Sequence, residues 1–146
     1  MQLKDYLSFS VDTKAVPQSR PRGTARNGFI KFYKPSNNRE YEEIIADAAL
    51  SAMLDKGISK PSELAVDMYV EVWRLPPNSW SIKKKNMAYA REILPTPKPD
   101  SSNYYKLVED ALNKVIYVDD SQVIRQSSAK YYAKEEKVIV DIKVYE

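Results

Sequence analysis

Residues 98–120 read KPDSSNYYKLVEDALNKVIYVDD, and the rest of the chain is organised around them. Tyr104, Leu107, Val108, Ala111, Leu112 and Val115 recur at three- and four-residue steps, which predicts a helix with one buried stripe. Asn103, Lys106 and Asp110 fall on a different, polar face. Lys98-Pro99 leads rigidly into Asp100, and the segment closes on Asp119 and Asp120 after a short hydrophobic run. A strand from Val115 to Val118, turning back after the helix, would return that acidic pair towards Asp100 and assemble a divalent-metal site from one short segment.

Upstream, Pro95, Pro97 and Pro99 hold the approach to Asp100 extended, and extended backbone fixes where a side chain points. Ser79 or Ser81 can cap a short basic helix carrying Lys83, Lys84 and Lys85. Leu64, Val66, Met68, Val70 and Val72 alternate with Ala65, Asp67, Tyr69, Glu71 and Trp73, a strand that Pro76-Pro77 stops. Earlier still, Asn37 with Glu40 fits a capping box. From there Tyr41, Ile44, Ile45, Ala48, Ala49, Ala52 and Met53 trace an apolar helical face ended by Gly57. The chain opens with a strand over 6–11, a loop VPQSRPRGTARNG at 16–28 and a hairpin strand over 29–33. Beyond Asp120, strands are expected over 123–130 and through the alternating Val138, Val140, Ile142 and Val144. The sum is an α+β single domain over 1–146: a mixed sheet of about five or six strands, two main helices and a short basic one.

Composition narrows the chemistry. Absence of cysteine excludes disulfides, thiolate zinc sites and cysteine nucleophiles, and absence of histidine excludes the commonest general base and metal ligand. Neither an apolar leader nor a stretch of transmembrane length is visible, so a soluble intracellular protein with no membrane role is expected. Basic residues outnumber acidic ones by 23 to 20, and they are bunched: Arg20, Arg22 and Arg26, then Lys83, Lys84 and Lys85. An isolated basic cluster is most simply a solvated face. Two of them beside a carboxylate site favour a polyanionic partner.

Phosphodiester hydrolysis needs an activated water, charge neutralisation and help for the leaving oxygen. Carboxylate-held Mg²⁺ supplies all three without histidine. Asp100, Asp119 and Asp120 are the candidate ligands, Lys106 can reach a scissile phosphate, and Asn103 can position a carboxylate or contact phosphate. Each also has a plain explanation, Asp100 as a helix cap and Asp119-Asp120 as a turn.

Four stretches, SRPRGTARNGFIKFYKPSNNREYEE at 19–43, NSWSIKKK at 78–85, LPTPKPDSSNYYKLVEDALNK at 94–114 and YVDDSQV at 117–123, resemble the RusA-type Holliday junction resolvases of phages and prophages. The resemblance implies a homodimeric nuclease of the bacterial cytoplasm that cuts four-way DNA junctions in recombination and repair, using Mg²⁺ or Mn²⁺. By residue, it implies metal or catalytic roles for Asp100, Asn103, Lys106, Asp119 and Asp120. From their charge, DNA contacts are expected of Arg20, Arg22, Arg26, Lys83, Lys84, Lys85 and Lys98. One position departs: Ser102 stands where the family pattern has a second aspartate, removing one negative charge from the expected metal site. Ser102 also has a structural account as a helix cap. Three readings stay open: a site of three aspartates completed by water, a member that binds DNA without cutting, and a serine introduced to trap an inactive form.

Overall fold

The computed structural model describes residues 1–18, 22–26, 29–33 and 36–146, with residues 22–26, 29–33 and Ser36 described by backbone only. In chain order the elements are β1 (Leu3–Val11), β2 (Arg22–Arg26), β3 (Phe29–Tyr33), α1 (Ser36–Asp55), β4 (Ala65–Arg74), α2 (Ile82–Tyr89), α3 (Ser101–Leu112), β5 (Val123–Tyr132) and β6 (Lys137–Tyr145). The expected five- or six-stranded sheet is a four-stranded one in the order β1-β6-β4-β5, with β2 and β3 paired separately. β4 runs antiparallel to β6 and parallel to β5, so the sheet is mixed.

The alternation read in β4 and β6 sets which face is covered. Val66, Met68, Val70 and Val72, with Val138, Val140, Ile142 and Val144, are buried, while their odd-numbered neighbours are half-exposed or more. On that face lie α1 and α3. The buried stripe of α1 is Tyr41, Ile45, Ala49 and Met53, a strict four-residue repeat; Ile44, expected beside it, is 43% exposed. α1 ends as expected at Gly57, whose φ of 71° permits a double closure: Ile58 N–H bonds the Met53 carbonyl at 2.9 Å and Gly57 N–H the Leu54 carbonyl at 3.0 Å.

Other expectations are corrected. The capping box at Asn37 is not formed: Ser36 is already helical, which puts Asn37 and Glu40 inside α1. The arginine-rich loop contains β2, whose residues from Arg22 to Arg26 pair with those from Tyr33 back to Phe29. Backbone pairing to β3 outweighs the local preference of Gly23 for a turn. The strand expected over Val115–Val118 is a turn with isolated bridges at Tyr117. α3 ends at Leu112, Lys114 takes a positive φ of 67°, and too few residues remain to run a ladder. Ser81 caps α2, its hydroxyl accepting from Lys84 N–H at 3.2 Å.

Leu107 has no exposed surface, whereas Leu54 is 73% exposed. Leu107→Ala should lower the unfolding free energy by about 2–5 kcal/mol through lost burial and a cavity. Leu54→Ala should change it by less than about 0.5 kcal/mol. Urea titrations with equal slopes for both variants are the check, and equal midpoints would contradict the core assignment.

Candidate active site

The site is built outward from the start of α3. Asp100 is extended (φ −65°, ψ 146°) and takes the N-cap position, yet its carboxylate makes no capping bond. Among the described residues no donor is bonded to its oxygens, and an acid so placed at a helix N-terminus can accept another partner. Ser102, expected as the cap, instead lies inside the first turn and is exposed.

Two cations hold the run before Asp100. Lys130 Nζ on β5 donates to the carbonyls of Pro97 and Pro99, each at 2.9 Å. Arg74 at the end of β4 donates to Pro97 and Lys98 carbonyls at 3.3 and 3.4 Å. Three successive carbonyls without sheet partners are thereby satisfied. The Lys98-Pro99 peptide is cis.

One turn and a half along α3, Lys106 stands among carboxylates: its ammonium is 3.0 Å from Glu109, 3.4 Å from Asp110 and 3.7 Å from Asp120. Glu109 is buried and the others are half-exposed. The hydrogen bond to Glu109 raises the Lys106 pKa above its ordinary value, with partial burial opposing and Asp110 reinforcing the rise.

Tyr117 brings Asp120 back to α3. Its ring is fully buried and its hydroxyl donates to the Glu109 carbonyl at 2.6 Å. Ser62 N–H then bonds the Ile116 carbonyl, Val118 N–H bonds the Ser62 carbonyl, and the Gln122 amide donates to Ser62 and Leu64 carbonyls at 2.8 and 2.9 Å. Asp119 caps the following single 3-10 turn, Asp120–Gln122: one of its oxygens accepts from Ser121 N–H, and Gln122 returns a bond to the Asp119 backbone. Hydrogen bonds from Ser121 hold the Asp119 carboxyl below its ordinary pKa.

Asp100 and Asn103 line a groove of about 300 Å³ with Pro17, Gln18, Lys98 and Pro99. Gln18 is tied to α3 twice: its N–H bonds the Asn103 carbonyl at 3.0 Å and its side-chain amide donates to Asp110 at 2.6 Å. The arginine-rich arm thus departs from beside the acidic group. Arg20 lies outside the described residues, and of Arg22 and Arg26 only the backbone, in β2, is described. Lys83 and Lys84 are exposed on α2 and Lys85 half-buried, with the Lys84 ammonium 4.1 Å from the Trp80 ring centroid. Lys98 is exposed on the groove.

Asp120, Lys106 and Asp110 are therefore together, and Asp100 and Asn103 are together. Among the described residues no three acids are disposed to hold a metal ion. A metal held by one or two carboxylates, with waters and substrate phosphates filling its shell, fits this donor set; an all-protein cage does not. Residues missed from the sequence are Gln18, Arg74, Glu109 and Lys130. Only Glu109 carried a signal, its three-residue spacing from Lys106.

A family model described as endodeoxyribonuclease RusA matches residues 12–143. The chain belongs to the RusA family. Membership implies endodeoxyribonuclease activity. The chain is also similar to a Bacillus subtilis (strain 168) protein named "Uncharacterized protein YqaN", with 39% identity over 141 residues, 95% of this chain and 96% of that one. The match takes in α3, the turn at Asp119-Asp120 and both cation-bearing strands, so the polar groups described above lie within the RusA-like region. Among the described residues no helix is long and apolar enough to cross a membrane.

A lysine with a raised folded pKa contributes stability that is fully present below its unfolded value, here 10.5, and is lost as pH rises through the higher folded value. Lys106→Met should therefore lower the melting temperature by a constant amount between about pH 7 and 9, the gap to wild type closing only above the ordinary lysine pKa. Thermal melts in which the gap already closes near neutral pH would remove Lys106 from its carboxylate group.

Proposed function

We propose that this RusA-family chain is a metal-dependent endonuclease that resolves four-way DNA junctions, acting as a homodimer with one site per copy. The observation that carries the reading is Asp100: a family-matched acid at the head of α3, making no capping bond and opening on a groove it shares with Asn103 and Lys98. Two equivalent strands cut in one junction call for two sites at a fixed separation, which twofold pairing of one chain supplies.

The assigned roles follow from position. Asp100 and Asp120 are the first choices for Mg²⁺ or Mn²⁺ ligands. Asp119, with one oxygen engaged by Ser121, and Ser102, neutral and exposed, are second choices in place of either, since no three described acids come together. When bound, the ion supplies water activation and charge neutralisation. Within the chain, three carboxylates surround one ammonium at Lys106, leaving an excess of two negative charges that favours a hard cation nearby. Lys106 is oriented by Glu109 to meet phosphate once DNA displaces part of its carboxylate shell. Asn103 offers an amide to a phosphate oxygen from the groove. Lys98, the lysines of α2 and Arg20, Arg22 and Arg26 hold the DNA backbone.

A second reading, junction binding without cutting, is favoured by two observations: the described carboxylates form no three-acid metal group, and Ser102 subtracts a charge where the family pattern has one. Cleavage of a labelled junction with Mg²⁺, Mn²⁺ or chelator separates the two. Under the nuclease reading the chain cuts symmetrically, and Asp100→Asn abolishes cutting while junction binding persists. Cutting by Ser102→Asp alone would identify a disabled resolvase; cutting unchanged by Asp100→Asn would remove Asp100 from the site. Replacing Lys83, Lys84 and Lys85 together by alanine should reduce the slope of log affinity against log salt by about three, and an unchanged slope would take α2 off the DNA.

A further inference from the structure

The chain directly before Asp100 is an unusual stretch of backbone. Pro95, Pro97 and Pro99 have no N–H to give, so this stretch cannot be held as a ladder strand, and its carbonyls need donors from elsewhere. Both donors come from side chains on two parallel neighbours, Arg74 of β4 and Lys130 of β5, two residues apart in the register, with Val72 opposite Lys130 and Tyr132 opposite Arg74. The Lys130 ammonium bridges the carbonyls on either side of Lys98, one of them belonging to the residue bonded to Asp100. An ammonium has three donors, and these two bonds leave one.

We propose that Lys130, backed by Arg74, is a positioning residue for Asp100: it fixes the Pro97–Pro99 backbone so that the Asp100 carboxylate is presented to the metal. The assignment rests on the nuclease reading above. Lys130 is far from Asp100 in sequence and reaches it through the Pro97 and Pro99 carbonyls, so the position of the acid is set by β5 as well as by α3. Electrostatics agree with the geometry. Burial, and then Arg74 beside it, holds the Lys130 pKa below its ordinary value, while the negative charge of Asp100 draws it back up.

The test is Mn²⁺ binding to the protein bound to a four-way junction, read by paramagnetic resonance, beside junction affinity and circular dichroism. Lys130→Met should keep fold and junction affinity but weaken Mn²⁺ binding by about tenfold or more, as for other residues that orient a ligand; Lys130→Arg should recover most of the loss. Should the methionine variant not fold, Lys130→Gln, whose amide still has two donors, carries the comparison and should lose Mn²⁺ affinity severalfold. Unchanged Mn²⁺ affinity in the folded variant, or no recovery by arginine, overturns the positioning role. Wild-type protein that binds no Mn²⁺ on the junction overturns the nuclease reading itself and the positioning role with it, an outcome visible before any variant is compared.

Discussion

Leaving a buried phenol without a hydrogen-bond partner costs about 1–3 kcal/mol. For Tyr117 that partner is the carbonyl of Glu109, two-thirds of the way along α3. The bond and the burial of the ring force the chain to double back against the helix it has just left. Asp120 is then delivered to the polar face of α3, where Lys106 meets it. The stitches from Ser62 and Gln122 hold the far side of the same turn, so the acidic pair is fixed to both the helix and the entry to β4.

Two lysines divide the work of holding the acids of the candidate site. Lys106 gathers Glu109, Asp110 and Asp120, and Lys130 secures the backbone leading to Asp100. Each lies on a different element, so the separation of the two acidic positions is a property of how α3 packs on the β4–β5 edge of the sheet. Gln18 adds a third tie, anchoring the root of the arginine-rich arm to Asp110 and Asn103. Around Lys106 one cation stands 3.0 to 3.7 Å from three carboxylates, so the group stays net negative.

The helix at 101–112 and the strands at 65–74 and 137–145 were legible because burial leaves a periodic mark: a stripe for the helix, alternation for the strands. The paired motifs around Asp100 and Asp120 were legible for a different reason, their resemblance to one family. What misled was local preference. Asn37 and Glu40 have the spacing of a cap, but the helix begins before them; Gly23 suggests a turn, but its neighbours pair with β3; Val115–Val118 is apolar enough for a strand, but Tyr117 is drawn into the core.

By itself the sequence determined the α+β class, the buried faces of β4, β6 and α3, and the acids and cations available for phosphate chemistry, since these follow from residue type and period. Only the tertiary structure decided which of those charges meet. Lys106 with Asp120, Lys130 with the carbonyls before Asp100, and Gln18 with Asp110 are contacts between distant parts of the chain. Their partners are set by sheet order and helix packing, and neither leaves a periodic trace in the residues themselves.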